Sequence, residues 1–485
     1  MRVLLINPKM YFRRGMPLGL AYIAAVLRQG GHDVRVFDPA PYDSTTLDQT
    51  VSMFQPDCVG IACMTPSFPK AVDMARQVKQ HGDIPVMLGG VHPTSMPLET
   101  LANGSIDYIV AGEGELTCLE LVDALERGKP VNGIKGIGYK HGGKCILNEP
   151  RPLIEDIDSV PLPARELFPM RWYTQRSTQI RGSWFRQTGM FTSRGCPSDC
   201  IFCASKVMFG RRFRPRSTEK VVDEIEYLLG KYNLEALTFD DDSFAVNRQR
   251  AIDICREIRR RKLDFIWHAQ MRTDTAYEDV IREMARSGCI QASFGVESGS
   301  PKVLKAMHKG NSPEDAIRSF GLCKKYGIKT LANFMIGNPE ETLEDIEMTR
   351  ALARKLDADY NGFYITIPYP GTELYRQAIE NKWMDSVPDF SMFMQGPSSG
   401  CGRPTLMRIN IDPAELKRMR DDLEKEFLRK EFKSYLRNPR FMIDMVLMNI
   451  FMPQTPFRAL AKYVVSGRFA AFTEFIKAEE TRRFP

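Results

Sequence analysis

Twice along this chain, short apolar runs alternate with stretches of helical period, and nothing else in the sequence limits the fold so strongly. In the first series, strands read at 3–7, 34–38, 58–63, 85–88 and 108–111, with helices at 18–28, 47–54, 70–80 and 116–126 between them. These strands are continuously apolar, so helices must cover both of their faces, which implies a doubly wound parallel sheet. Ligands of such sheets sit at the carboxyl ends of the strands.

The second series has strands at 190–193, 236–240, 265–270, 291–297, 330–336 and 362–367. Helices read at 220–231, 248–261, 278–287, 301–307, 313–326 and 343–356. Val221, Val222, Ile225, Leu228 and Leu229 keep the 3.6-residue period in the first of them. Ser312-Pro313-Glu314-Asp315 has a capping serine with proline at the first helical position. Six strand–helix units fit a partial TIM-type (βα)6 barrel, whose chemistry belongs at the carboxyl ends of its strands. Pro150, Pro152, Pro161, Pro163 and Pro169 lie between the two series, in a stretch with little periodicity. The expected organisation is an α/β domain over 1–145, a linker over 146–187, a barrel over 188–382 and a helical C-terminal region over 383–485. A length of 485 residues agrees with more than one core.

The net charge of +7 is a mild excess for so long a chain, and it gives no reason to expect a nucleic-acid partner. The first apolar run covers only 3–6, too short for a signal peptide. No stretch reaches the roughly 18–20 apolar residues of a spanning helix. The chain is therefore expected in the cytoplasm, its eleven cysteines thiols or metal ligands. Apolar segments at 441–452 and 460–476 suit either an interfacial helix touching a membrane or a lid on the barrel.

Directly after the first barrel strand the chain reads Arg194-Gly195-Cys196-Pro197-Ser198-Asp199-Cys200-Ile201-Phe202-Cys203, a C-x3-C-x2-C spacing. The three cysteines would also share one helical face, but Gly195 and Pro197 make a helix poor there. Three thiolates can hold three irons of a 4Fe–4S cube. The fourth iron is left open to chelate the amino and carboxylate groups of S-adenosylmethionine (SAM). One electron can then cleave its sulfur–carbon bond to give a 5′-deoxyadenosyl radical.

The segment resembles the radical SAM superfamily, whose signature places an aromatic residue where Phe202 stands. The resemblance implies SAM contacts at the ends of the other strands. Phe239-Asp240-Asp241-Asp242 stands where many members carry Gly-Gly-Glu, so Asp240 and Asp242 are candidates for the SAM amino group. Glu297, in Gly295-Val296-Glu297-Ser298-Gly299, is a candidate for the ribose or amino group, and Gly337 for the loop passing the adenine. A solvated turn and a salt-bridged structural glutamate are the alternatives at the aspartate run and at Glu297. No catalytic residue stands out.

In the first domain, Met64-Thr65-Pro66, Gly89-Gly90-Val91-His92 and Gly112-Glu113-Gly114-Glu115 follow three successive strands. Followed by the cysteine motif, they resemble the cobalamin-binding branch of that superfamily, which includes the anaerobic magnesium-protoporphyrin monomethyl ester cyclase and related methyltransferases. Thr65, Gly89, Gly90, His92, Gly112 and Glu113 become candidates for binding cobalamin. One departure is plain: Asn7-Pro8-Lys9-Met10-Tyr11-Phe12 contains no Asp-x-His-x-x-Gly, so no histidine is expected beneath the cobalt. The resemblance implies methylation of an unactivated carbon of a natural product, lipid or tetrapyrrole, or cyclisation, rearrangement or oxidation without methyl transfer. It also implies an electron donor such as flavodoxin or ferredoxin and a small-molecule or lipophilic substrate. A methylthiotransferase would need three further cysteines in strand-end loops, which Cys58, Cys63 and Cys118 do not supply. A non-enzymatic binding module would have no use for the intact cysteine triad.

Overall fold

The computed structural model of this chain describes residues 1–8, 15–39, 43–177, 180, 185–384, 389–393 and 407–436. The loop at 9–14 and the apolar segments at 441–452 and 460–476 lie outside the described residues. No described helix is long and apolar enough to cross a membrane.

The first sheet is built from β1 (Arg2–Ile6), α1 (Leu18–Gln29), β2 (Asp33–Phe37), α2 (Leu47–Phe54), β3 (Cys58–Ala62) and α3 (Phe68–Lys79). It continues with β4 (Val86–Gly89), the short helices α4 (Val91–Ser95) and α5 (Pro97–Leu101), β5 (Tyr108–Val110) and α6 (Gly114–Glu126). An antiparallel hairpin follows, β6 (Ile137–His141) and β7 (Lys144–Leu147). The strand order is β2-β1-β3-β4-β5-β6-β7, with the first five parallel. The hairpin was not legible from apolar runs, because its strands carry lysine and histidine and turn through Gly142-Gly143. It ends at Leu147, just inside the stretch 146–187 expected as linker.

After α7 (Met170–Tyr173) and β8 (Arg176–Ser177) the second sheet begins with β9 (Phe185–Met190). This strand lies before the expected 190–193, because Arg186, Gln187 and Thr188 interrupt the apolar pattern. The chain continues through a small ribbon, β10 (Ser193–Arg194) and β11 (Arg214–Pro215), with α8 (Ser205–Phe209) between them. Next come α9 (Thr218–Tyr232), β12 (Ala236–Phe239), α10 (Arg248–Arg260), β13 (Ile266–Met271), α11 (Glu278–Arg286) and β14 (Cys289–Glu297). The remainder is α12 (Pro301–Ala306), α13 (Pro313–Tyr326), β15 (Lys329–Ile336), α14 (Leu343–Leu356), β16 (Tyr360–Ile365), α15 (Glu373–Glu380) and α16 (Pro413–Leu436). The order is β16-β15-β14-β13-β12-β9-β8, parallel throughout except for β8 against β9. It is the curled half-barrel expected of six strand–helix units.

Local chemistry explains these boundaries. Ser312 caps α13 by accepting from the Asp315 amide, and Asp315 returns the contact to the Ser312 amide, so two orphan donors are satisfied reciprocally. Thr342 and Asp345 repeat the device at α14. On the outer face of the half-barrel, Trp267 stacks on Phe239 with centroids 4.8 Å apart, and its indole donates to the Ser287 carbonyl at 2.9 Å. At the far edge, α16 packs on β16, bringing the Phe427 ring 5.3 Å from Phe363.

Candidate functional site

The cysteine loop leaves the second sheet under firm restraint. Asp241, buried at the end of β12, accepts from the Thr192 amide at 2.6 Å, the Ser193 amide at 3.2 Å and the Ser193 hydroxyl at 2.6 Å, and also from the Thr192 hydroxyl. Gly195 follows with φ +81°, and any side chain there would collide with the Arg212 carbonyl. Cys200 is buried, while Cys196 and Cys203 are partly accessible. Burial pushes the Cys203 thiol up to about 11 and raises Cys200 too, so a metal must displace their protons. Two cations stand beside the loop, each paired with a carboxylate, Arg272 with Asp274 at 2.8 Å and Lys309 with Glu297 at 2.7 Å. Arg272 Nη1 lies 3.9 Å from Cys200 Sγ, and buried Lys309 sits with its ammonium 5.8 Å from the Phe202 ring. Three soft donors on one loop with cations behind them fit a three-cysteine iron–sulfur cluster.

Around this loop the structure gathers several of the expected SAM residues. Asp242 accepts from the Ser205 hydroxyl at 2.5 Å, and burial lifts its carboxyl above the ordinary value. Asp240 lies over Gly189 on the neighbouring strand, where any side chain would collide with its carboxylate. Glu297 adopts a left-handed φ of +68° and pairs with Lys309 Nζ at 2.7 Å. Gly337, φ +80°, donates its amide to Glu341 Oε2 at 2.6 Å, so a buried glutamate shapes this loop. Asp241 stands in the aspartate run but was not singled out, and Arg272, Lys309 and Glu341 were not found from the sequence. Arg272 directly follows β13, and that position at a carboxyl end was its only signal.

In the first domain, a largely apolar cavity of about 180 Å³ opens between α1, α6 and the carboxyl ends of β3, β4 and β5. Gly89, Gly90, Gly112 and Glu113 line it, as do Tyr22, Ile23, Met87 and, from the other domain, Phe191, Arg194, Met208 and Phe209. Gly60 lines it too and was missed, although a glycine inside a strand is itself a sign of close approach. A Cβ at Gly60 would stand 2.9 Å from Leu5 Cδ2, and one at Gly90 would stand 2.6 Å from the Cys63 carbonyl oxygen. An apolar slot opened by glycines fits a flat aromatic group such as the nucleotide tail of cobalamin. Thr65 and His92 lie outside this lining. Thr65 is buried in the turn after β3, while His92 is buried in α4 between Phe68, at 4.2 Å, and Phe390, at 4.7 Å. Burial drives the His92 imidazole down to about 4, and among the described residues its ring nitrogens have no hydrogen-bond partner.

Comparison with known proteins agrees with both halves. Residues 190–353 match the radical SAM superfamily model and residues 12–122 the B12 binding domain model. The chain is 37% identical over 455 residues to an uncharacterized methyltransferase of Pyrococcus horikoshii, covering 91% of this chain and 94% of that protein. It is 31% identical over 401 residues to the anaerobic magnesium-protoporphyrin IX monomethyl ester cyclase of Rubrivivax gelatinosus, covering 78% and 70%. In fold it is similar to the radical S-adenosylmethionine methyltransferase TsrM of Kitasatospora setae, whose structure holds cobalamin and a [4Fe-4S] cluster. There the TM-score is 0.67 at 22% identity, over 86% of this chain and 81% of that one. With a cysteine loop and a cobalamin-type domain built into one chain, this protein belongs to the cobalamin-binding branch of the radical SAM superfamily, and it is an enzyme using a 4Fe–4S cluster, SAM and cobalamin.

Proposed function

We propose that this enzyme transfers a methyl group to an unactivated carbon of a natural product, lipid or tetrapyrrole. The observation that carries the reading is a shared wall. Arg194 and Phe191, which lead into the cysteine loop, also line the glycine-opened cavity of the first domain. When bound, the cluster supplies one electron to SAM and the corrin carries the methyl group. The protein's own residues bind and orient. Cys196, Cys200 and Cys203 hold the cluster, and Phe202 is their aromatic neighbour. Arg272 and Lys309 lie close enough to Cys200 to favour its charged form. Asp240, Asp242 and Glu297 are the candidates for the polar groups of SAM, and the loop at Gly337 for its adenine. Gly60, Gly89, Gly90 and Gly112 line the cavity assigned to the nucleotide tail, with Glu113 in its wall. Thr65 and His92, outside its lining, have no contact with the tail in this reading. The inner face of the half-barrel carries Asp240, His268, Gln270, Ser293 and Asn333, which suits a substrate with hydrogen-bonding groups. A low-potential flavodoxin or ferredoxin in the cytoplasm is the fitting source of electrons.

The test is anaerobic purification with iron and cobalt analysis, then incubation with SAM and reductant. S-adenosylhomocysteine formed beside 5′-deoxyadenosine supports methyl transfer. 5′-Deoxyadenosine alone, with a substrate present that is consumed, would instead mark cyclisation, rearrangement or oxidation without methyl transfer; the 31% identical relative is named a cyclase.

A further inference from the structure

A group of four buried charges joins the two domains, lining the cavity on one side and leading along the backbone into the cysteine loop on the other. Arg194 stands two residues before Cys196, on β10, and its ribbon partner on β11 is Arg214. Arg194 donates through Nη1 to Glu113 Oε1 at 2.8 Å and through Nη2 to Glu115 Oε1 at 2.6 Å. Arg214 Nη1 reaches Glu113 Oε2 at 2.7 Å, and the same oxygen accepts from the Ile154 amide at 2.8 Å. The Arg194 guanidinium also lies 5.2 Å from the Tyr22 ring centroid on α1. All four charged side chains are at least nine-tenths buried, and two arginines against two glutamates leave no net charge. Buried ion groups of this kind add little net stability, because desolvation offsets their attraction, but they fix geometry closely. What is fixed here is informative. Glu113 and Glu115 lie in the turn and first residues of α6 and line the cavity together with Arg194 and Tyr22. On the other side, the Arg194 backbone leads through Gly195, which no other residue can replace without collision, into the first cluster ligand.

We infer that Arg194 is a positioning residue that couples the two cofactor sites, holding the cysteine loop in register with the wall of the cobalamin cavity so that filling either site favours filling the other. This rests on the assignment of the cavity to cobalamin. Coupling is reciprocal: whatever the cluster adds to cobalamin affinity, cobalamin adds to cluster retention. The guanidinium fork suits the task, since it ties two carboxylates, one just before α6 and one in its first turn, to one backbone point. A lysine would reach only one of them.

The experiment titrates hydroxocobalamin into the full chain by visible absorbance, once with the cluster reconstituted and once cluster-free. Binding to wild type in either form tests the cavity assignment by itself, and no binding at all would overturn both claims. The dependence of that binding on the cluster tests the coupling. The expected result is an affinity at least about fivefold higher with the cluster present, and a slower loss of iron to a chelator when hydroxocobalamin is bound. Arg194→Gln should abolish both effects, Glu115→Gln should weaken them by removing one arm, and Arg194→Lys should restore part of what Arg194→Gln loses. Should Arg194→Gln fail to fold, as judged by circular dichroism, Glu115→Gln decides, because the Arg214–Glu113 pair survives in it. Equal wild-type affinities with and without the cluster would overturn the inference. So would a coupling that Glu115→Gln and Arg194→Gln leave unchanged.

Discussion

The two sheets of this protein solve opposite problems with the same strand–helix unit. In the first, β1 and β3 are buried along nearly their whole length on both faces, so nothing can bind on the sheet itself. A ligand can enter only at the strand ends or in a slot between sheet and helices, and glycines make the room. In the second, β13 and β14 alternate between buried and partly accessible residues. Phe239, Trp267, Phe294, Phe334 and Phe363 face the helices, while Asp240, His268 and Ser293 remain on the inner face, with His268 Nε2 2.8 Å from Ser293 Oγ. The first sheet offers shape and the second offers functional groups. A tightly held carrier needs shape alone, whereas cleaving SAM and handling a substrate need groups.

The comparison breaks most directly at the cysteines. Replacing Cys196, Cys200 or Cys203 with Ala should reduce 5′-deoxyadenosine formation to background with the circular dichroism spectrum unchanged. Normal yield from any one of the three would remove the cluster from the second sheet. Next in size is the outer face of that sheet, which should matter for stability and not for chemistry. Trp267→Ala removes the largest fully buried side chain and should cost about 3–5 kcal/mol, read as a shift in urea midpoint. SAM cleavage by the fraction that stays folded should persist at low temperature; its selective loss would mean the outer face takes part.

In the first sheet, shape should be the sensitive property. Gly60→Val puts its Cβ 2.9 Å from Leu5 Cδ2 and fills the slot. Hydroxocobalamin affinity should fall by about a hundredfold, the scale of 1–3 kcal/mol of overpacking. Circular dichroism should be little changed. Retention of full affinity would place the cobalamin tail elsewhere.

Legibility in the sequence followed the same divide. Strands and helices with clean apolar periods were found within a residue or two, and α2, α13 and α14 to the residue, because burial pattern and caps agree there. The polar strand β9 and the Gly-turned hairpin at β6 and β7 escaped, since neither carries an apolar run. At the candidate site, the cysteines announce themselves through spacing alone. Lys309 and Arg272 are single cations with no local pattern, and their importance arises only when folding brings them to Glu297 and Cys200. Arg194 meets Glu113 across 81 residues of chain, a distance over which no sequence period carries information.

The smallest expected effect contrasts one buried carboxylate from each domain. Burial alone would raise Glu113, but hydrogen bonds from Arg214 and Arg194 outweigh it and hold the acid below its ordinary range. Among the described residues, no cation pairs with Glu341. Its Oε2 accepts from the Gly337 amide at 2.6 Å and the Asn338 amide at 2.9 Å, its Oε1 is buried without a partner, and burial pushes the acid up to about 7. The folded protein therefore keeps a proton that the unfolded chain, with an ordinary glutamic acid near 4.3, gives up earlier. Stability from this group is complete below about pH 4.3 and is lost as pH rises through about 7, the reverse of the acid lability expected for Glu113. A shift of this size sets a ceiling of about 3–4 kcal/mol, and local relaxation should leave about 1 kcal/mol. Glu341→Gln keeps the neutral shape at every pH. Its urea midpoint should match wild type at about pH 4 and exceed it at about pH 8, with the gain confined to the loop at Gly337 in hydrogen exchange. Parallel midpoints at the two pH values would mean that Glu341 is already ionised in the folded protein, and that the two amides of the loop are enough to hold its charge.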